Sequence, residues 1–140
     1  MSSILNALGI HIIEVMEDKV VATMLVNDST KQPQGQLYGG ALIVLSETVA
    51  CLGTWENINL EEEYTIALEI NANYMKGIYE EGVVATAVPV HKGKKTMVWE
   101  IEIVEDSSEK VISRSRCTMS ILALEKKFEN EAVSTLTLED

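Results

Sequence analysis

Residues 41–55, ALIVLSETVACLGTW, would be apolar on nearly every face of a helix. A surface helix keeps one wet side, so this one reads as buried all round and central to the fold. On its N-terminal side, residues 28–40 hold Asp, Ser, Lys, Gln, Pro33 and three glycines, a polar loop feeding the helix. Before that loop, residues 12–16 and 19–27 read as strands around an acidic turn at Glu17-Asp18, a first hairpin. Residues 3–9 read as a short helical turn closed by Gly9. Beyond the acidic loop Glu61-Glu62-Glu63, the segments 65–75, 82–91, 96–105 and 111–124 are rich in β-branched and aromatic residues, several with period-2 alternation. They predict four strands in meander, with hairpin connections at 76–82, 92–94 and 106–108. One long buried helix with about six antiparallel strands is an α+β architecture in which a curved sheet wraps the helix.

The 140 residues, 46% of them apolar, fill one core and not two. A single domain is expected over 1–124, and the charged, then weakly apolar tail at 125–140 has no assignment. The formal charge of −11 repels phosphate backbones and anionic headgroups, which disfavours nucleic-acid and membrane-surface binding. No apolar run approaches the roughly 20 residues that span a bilayer, and the first ten residues lack a basic n-region and a small-residue cleavage site. A cytoplasmic protein is expected. Cys51 and Cys117 have neither metal-ligand spacing nor a CxxC pair, so two buried thiols are expected, with no metal and no cofactor.

Glu47 is the only charged residue between Lys31 and Glu56, at the middle of the most apolar helix. Buried there, a carboxylate is costly unless a partner satisfies it, so it is either held by a structural network or kept for function. Gly39-Gly40 lies just before the helix, where backbone N–H groups can approach a ligand with no Cβ in the way and the helix dipole favours negative charge. That makes an anion or oxyanion site about two turns from Glu47.

The ordered set Gln32-Pro33-Gln34-Gly35-Gln36-Leu37-Tyr38-Gly39-Gly40-Ala41, followed by Leu45-Ser46-Glu47-Thr48, resembles the hotdog-fold acyl-CoA thioesterases. The resemblance is to the branch that includes 4-hydroxybenzoyl-CoA, 1,4-dihydroxy-2-naphthoyl-CoA and phenylacetate-pathway thioesterases. It extends from about residue 8 to 124, through Glu69-Ile70-Asn71-Ala72-Asn73-Tyr74 and the turn His91-Lys92-Gly93-Lys94.

The resemblance implies hydrolysis of an acyl- or aryl-CoA in a cleft between two subunits of a dimer or dimer of dimers. Glu47 falls on the family's catalytic carboxylate, as base or nucleophile. Gly39 falls on the residue whose N–H polarises the thioester carbonyl, with Gly40 beside it. Gln32 matches a glutamine that holds the carbonyl or the attacking water and comes from the subunit opposite Glu47. Cys51 stands one turn past Glu47, where relatives carry a Ser or Thr that assists water; a thiol bonds more weakly, and a small core residue is the plainer reading. Relatives usually carry His where this chain has Tyr38, and often His where it has Tyr74. With His11 and His91 elsewhere in the pattern, Glu47 is left as the only carboxylate or imidazole positioned to act.

Coenzyme A brings phosphates to an acidic protein. Lys92 and Lys94 at a glycine turn, and Arg114 and Arg116 on one face of a strand, are the candidates to hold them. The alternative is that these cations only offset an acidic surface. Trp55 and Trp99 read as core or interface anchors. Two other functions stay open: an acyl-CoA-binding module without catalysis, motivated by Tyr38 and Tyr74, and dehydratase chemistry, whose His–carboxylate pair cannot be assembled here.

Overall fold

The computed structural model describes residues 3–79 and 81–125. Glu125 apart, the C-terminal tail lies outside the described residues. In chain order the elements are α1 (Ser3–Leu8), β1 (Ile10–Met16), β2 (Lys19–Met24), α2 (Gly39–Trp55), β3 (Glu63–Tyr74), β4 (Val83–Lys92), β5 (Thr96–Glu105) and β6 (Val111–Ala123). Gly9, in the left-handed region at φ +70°, ends α1 and turns the chain into β1.

The strands form one antiparallel sheet in the order β1-β2-β4-β5-β6-β3, and α2 packs against all six of them. Period-2 alternation decides which face they present. Met97, Trp99, Ile101 and Ile103 of β5 are buried against the helix, while Glu100 points outward and is exposed. Register shifts between Ile12 and Glu14, Ala67 and Glu69, and Pro89 and His91 are the irregularities that bend a sheet enough to wrap a helix. Pro89 lies past the last residue of β4 that pairs with β2, so its missing N–H costs no bond on that side. This is the α+β hotdog arrangement.

Two expectations need correction. The four C-terminal strands are not one meander: β4, β5 and β6 are, but β3 lies at the sheet edge beside β6. The connection from Tyr74 to Val83 is too long for a hairpin turn. It crosses instead to the start of α2, where Ile78 is buried and its carbonyl accepts from the Leu37 N–H at 2.7 Å.

Nor is α2 buried on all sides. Leu42, Leu45, Val49, Ala50 and Gly53 face the sheet, whereas Glu47 is exposed and Trp55 is 42% exposed. A curved sheet covers only the side of a helix it wraps, so the opposite apolar stripe stays open on a single chain. On the sheet-facing side of α2, a Cβ added at Gly53 would collide with the ring of the fully buried Trp99. The Trp99 indole N–H donates to Thr54 Oγ1 at 2.9 Å, and that hydroxyl donates to the Ala50 carbonyl.

Candidate active site

The polar loop before α2 is folded tightly on itself. The Gln32 N–H donates to the Gln36 carbonyl at 2.6 Å and the Gly35 N–H to the Gln32 carbonyl at 2.8 Å, with Gly35 at φ +91°. The Tyr38 N–H donates to the Thr30 carbonyl, and the Tyr38 carbonyl accepts from the Ala41 N–H to begin the helix. These bonds set Gln32 beside Gly39, and both line a cavity of about 370 Å³ with Leu42, Tyr74, Lys76 and Ile78. First-turn N–H groups have no acceptor within a helix, so this end of α2 can polarise a carbonyl.

Tyr74, the last residue of β3, closes one side of that cavity. Its hydroxyl donates to the Gly39 carbonyl at 3.0 Å, and a Cβ on Gly39 would meet its ring at 3.2 Å. Partial burial pushes the Tyr74 phenol above its ordinary pKa, which keeps it a neutral donor through the physiological range. The Tyr38 side chain is exposed, with its ring against Gly40.

Glu47 belongs to a different cavity. An open groove of about 540 Å³ runs along α2, lined by Leu5, Ile12, Glu47, Cys51, Leu52 and Trp55. Glu47, Cys51 and Trp55 are spaced by four residues and form one stripe. The Trp55 indole N–H donates to Thr65 Oγ1 at 3.0 Å, and the Cys51 sulfur lies 4.0 Å from the same oxygen. Burial raises the Cys51 thiol above its usual range, opposed by its contact with Thr65 and helped less by the charge of Glu47, and burial pushes Cys117 up to about 12. Both are free thiols; Cys117 is buried and Cys51 half-buried. The indole of Trp55 at this groove was legible only as an anchor, although its spacing from Glu47 was the signal that it shares that face.

Within one chain, then, Gln32, Gly39 and Tyr74 come together, and Glu47 with Cys51 does not join them. Residues 34–112 match the family model described as the thioesterase superfamily. The chain belongs to that superfamily. It is similar to ComA2 of Bacillus subtilis, at 42% identity over 86% of this chain and 94% of that one. It is also 40% identical to the 1,4-dihydroxy-2-naphthoyl-CoA hydrolase of Listeria monocytogenes, over 83% of this chain and 93% of the relative. A thioesterase of Pseudomonas aeruginosa, solved as a glutamine-to-alanine variant, superposes with a TM-score of 0.83 at 32% identity, covering 88% of each chain.

The four cations considered for the CoA phosphates, Lys92, Lys94, Arg114 and Arg116, lie on two further surfaces of this thioesterase. Arg114 and Arg116 lie on the outer face of β6, paired across the register with Glu102 (2.7 Å) and Glu100 of β5. Lys92 pairs with Asp18, and with Lys94 it borders a depression at the β4–β5 turn. Of these four cations, only Lys94 has no carboxylate partner in the ion pairs of the described residues. No cluster of three or more metal-ligating side chains forms among the described residues, and no helix there is long and apolar enough to cross a membrane.

Proposed function

We propose that this thioesterase hydrolyses an acyl- or aryl-CoA to the free acid and CoA in a cleft between two copies of the chain. Glu47 of one copy faces Gly39 and Gln32 of the other. The separation of these groups along α2 carries the reading. Gly39 and Glu47 stand eight positions apart, which corresponds to about 12 Å of helix. A carboxylate and a carbonyl that react, directly or through one water, need contacts of roughly 3 Å. One chain therefore cannot bring its own Glu47 to a thioester held at its own helix start, whereas two antiparallel copies of α2 can. The open stripe around Glu47 and the unpaired edge of β3, with Ile66 and Leu68 exposed, are surfaces that a second copy would cover. A dimer, or a dimer of dimers, follows.

In this site the Gly39 N–H and the Gln32 amide hold the carbonyl oxygen, and charge that develops on it during attack falls at the positive end of the helix. Glu47 takes the proton of the attacking water, or itself attacks to give an anhydride that water then opens. By the first route Glu47 passes that proton to the sulfur as the tetrahedral intermediate collapses, and CoA leaves as the thiol; by the second CoA leaves as the thiolate when the anhydride forms and takes its proton from solvent, and the water that opens the anhydride releases the free acid. The apolar lining of the groove and the aryl-CoA named for the Listeria relative support an aromatic or other apolar acyl group. Lys92, Lys94, Arg114 and Arg116 are the cations available for the CoA phosphates. We further propose a cytoplasmic location, where CoA thioesters are made and consumed.

A thiol-release assay across short, long and aromatic acyl-CoAs tests the reading. Glu47→Gln should fold normally and lose on the order of a hundredfold in kcat. Full activity in that variant would show the carboxylate to be structural.

A further inference from the structure

We propose that Tyr74 is a positioning residue: it clamps Gly39 at the start of α2 and does not itself handle the substrate. The inference rests on the site proposed above and assigns the group that fixes its carbonyl-polarising end. Three observations carry it. The Tyr74 hydroxyl is already committed, donating to the Gly39 carbonyl at 3.0 Å. Its ring lies flush on the Cα of Gly39, since an added Cβ would come within 3.2–3.3 Å of three ring and hydroxyl atoms. Finally, the contact joins the last residue of β3 to the first of α2, 35 positions apart, so it sets the helix start against the strand edge instead of stiffening one element.

The Tyr38 side chain makes no capping hydrogen bond to the helix. Without a cap, the first turn of a helix frays, and its N–H groups lose a fixed direction. A hydroxyl on the Gly39 carbonyl and a ring against its Cα restrict both dihedrals of that residue, which aims its N–H. Glycine at 39 is thus required from two sides: a substrate must approach its N–H and Tyr74 must approach its Cα.

Four variants of the full-length protein test this, each checked by circular dichroism and assayed for kcat and KM with one acyl-CoA. Tyr74→Phe keeps the ring and removes only the hydrogen bond. It should lower kcat by about three- to tenfold, leave KM within about twofold, and leave the shape of the pH–rate profile unchanged. Gly39→Ala should cost on the order of a hundredfold, because the ring must move and carry the helix start with it. The same change in a Tyr74→Ala background should cost markedly less, since the colliding ring is gone. Strict additivity of the two substitutions, or a Tyr74→Phe variant with wild-type kcat, would overturn the clamp. Loss of a limb from the pH profile in Tyr74→Phe would overturn it too, in favour of proton transfer by the phenol. Glu47→Gln run alongside separates the two levels: if it keeps full activity, the underlying site is wrong and the clamp falls with it, whereas its inactivity with additive Tyr74 and Gly39 effects removes the clamp alone.

Discussion

Glu47 shows how a residue can be picked out for one reason and matter for another. In the sequence it is the single charge in an apolar helix, which reads as a buried and costly carboxylate. The structure leaves it exposed on the stripe that the sheet does not wrap. Composition cannot distinguish a helix buried by its own chain from one whose open face a second chain covers, since both are apolar all round. Consequently Glu47→Gln should leave the melting temperature of the protein nearly unchanged, and calorimetry checks this. The thiols offer a second residue-scale expectation. Burial raises both, and more for Cys117, so at pH 8 the native protein should react slowly at Cys51 with a disulfide reagent. Cys117 should react only on unfolding. Rapid labelling of both would contradict the packing described here.

At the scale of elements, the turn of the hairpin β1–β2 and the ends of β5 and β6 were legible to within a residue, because turn residues and period-2 alternation are local signals, whereas β2 ends at Met24, three residues before the expected Asn27. The place of β3 was not. Pairing with β6 across the sheet edge is a non-local choice, and the glycines at 77 and 82 mimic a hairpin signal although they border a crossing loop. Gly53 is a matching case, since nothing near it in sequence announces that Trp99 lies against its Cα. Gly53→Ala should destabilise the fold by about 2–3 kcal/mol or more, read from urea melts, because the indole is fully buried and cannot give way.

The crossing loop is tied down at Lys76, whose ammonium bonds Glu105 at 2.9 Å while the Ser108 hydroxyl bonds the same carboxylate. The Lys76 bond first, and that of Ser108 next, hold the Glu105 carboxyl below its ordinary range. A carboxyl whose pKa falls on folding adds stability above its unfolded pKa and loses it as pH drops through the folded value. Lys76→Met should therefore melt earlier than wild type near neutrality, with the difference vanishing well below pH 4.

For the whole molecule, the sequence offers the proposed site as a set of residue types but not as a place. The order of Gln32, Gly39, Gly40 and Glu47 fits the thioesterase superfamily, yet the two halves line separate cavities on one chain. The same scale governs the CoA phosphates. Neutralising Lys92, Lys94, Arg114 and Arg116 together should raise KM, more so at low salt, with kcat nearly constant. Because Arg114, Arg116 and Lys92 already have carboxylate partners, Lys94→Ala alone should account for the largest share. Sedimentation should find at least a dimer at micromolar concentration; a species of 15.5 kDa alone would remove the shared cleft.

The shared cleft can be tested most directly by complementation. Gln32→Ala and Glu47→Gln chains, each inactive or nearly so by itself, are co-expressed with different tags, and the doubly tagged species is purified and assayed. A mixed dimer of this kind holds one site with both substitutions and one with neither, so its activity should be about half that of a wild-type dimer. Activity no greater than that of either variant alone would mean that Glu47 and Gln32 do not act together across two chains.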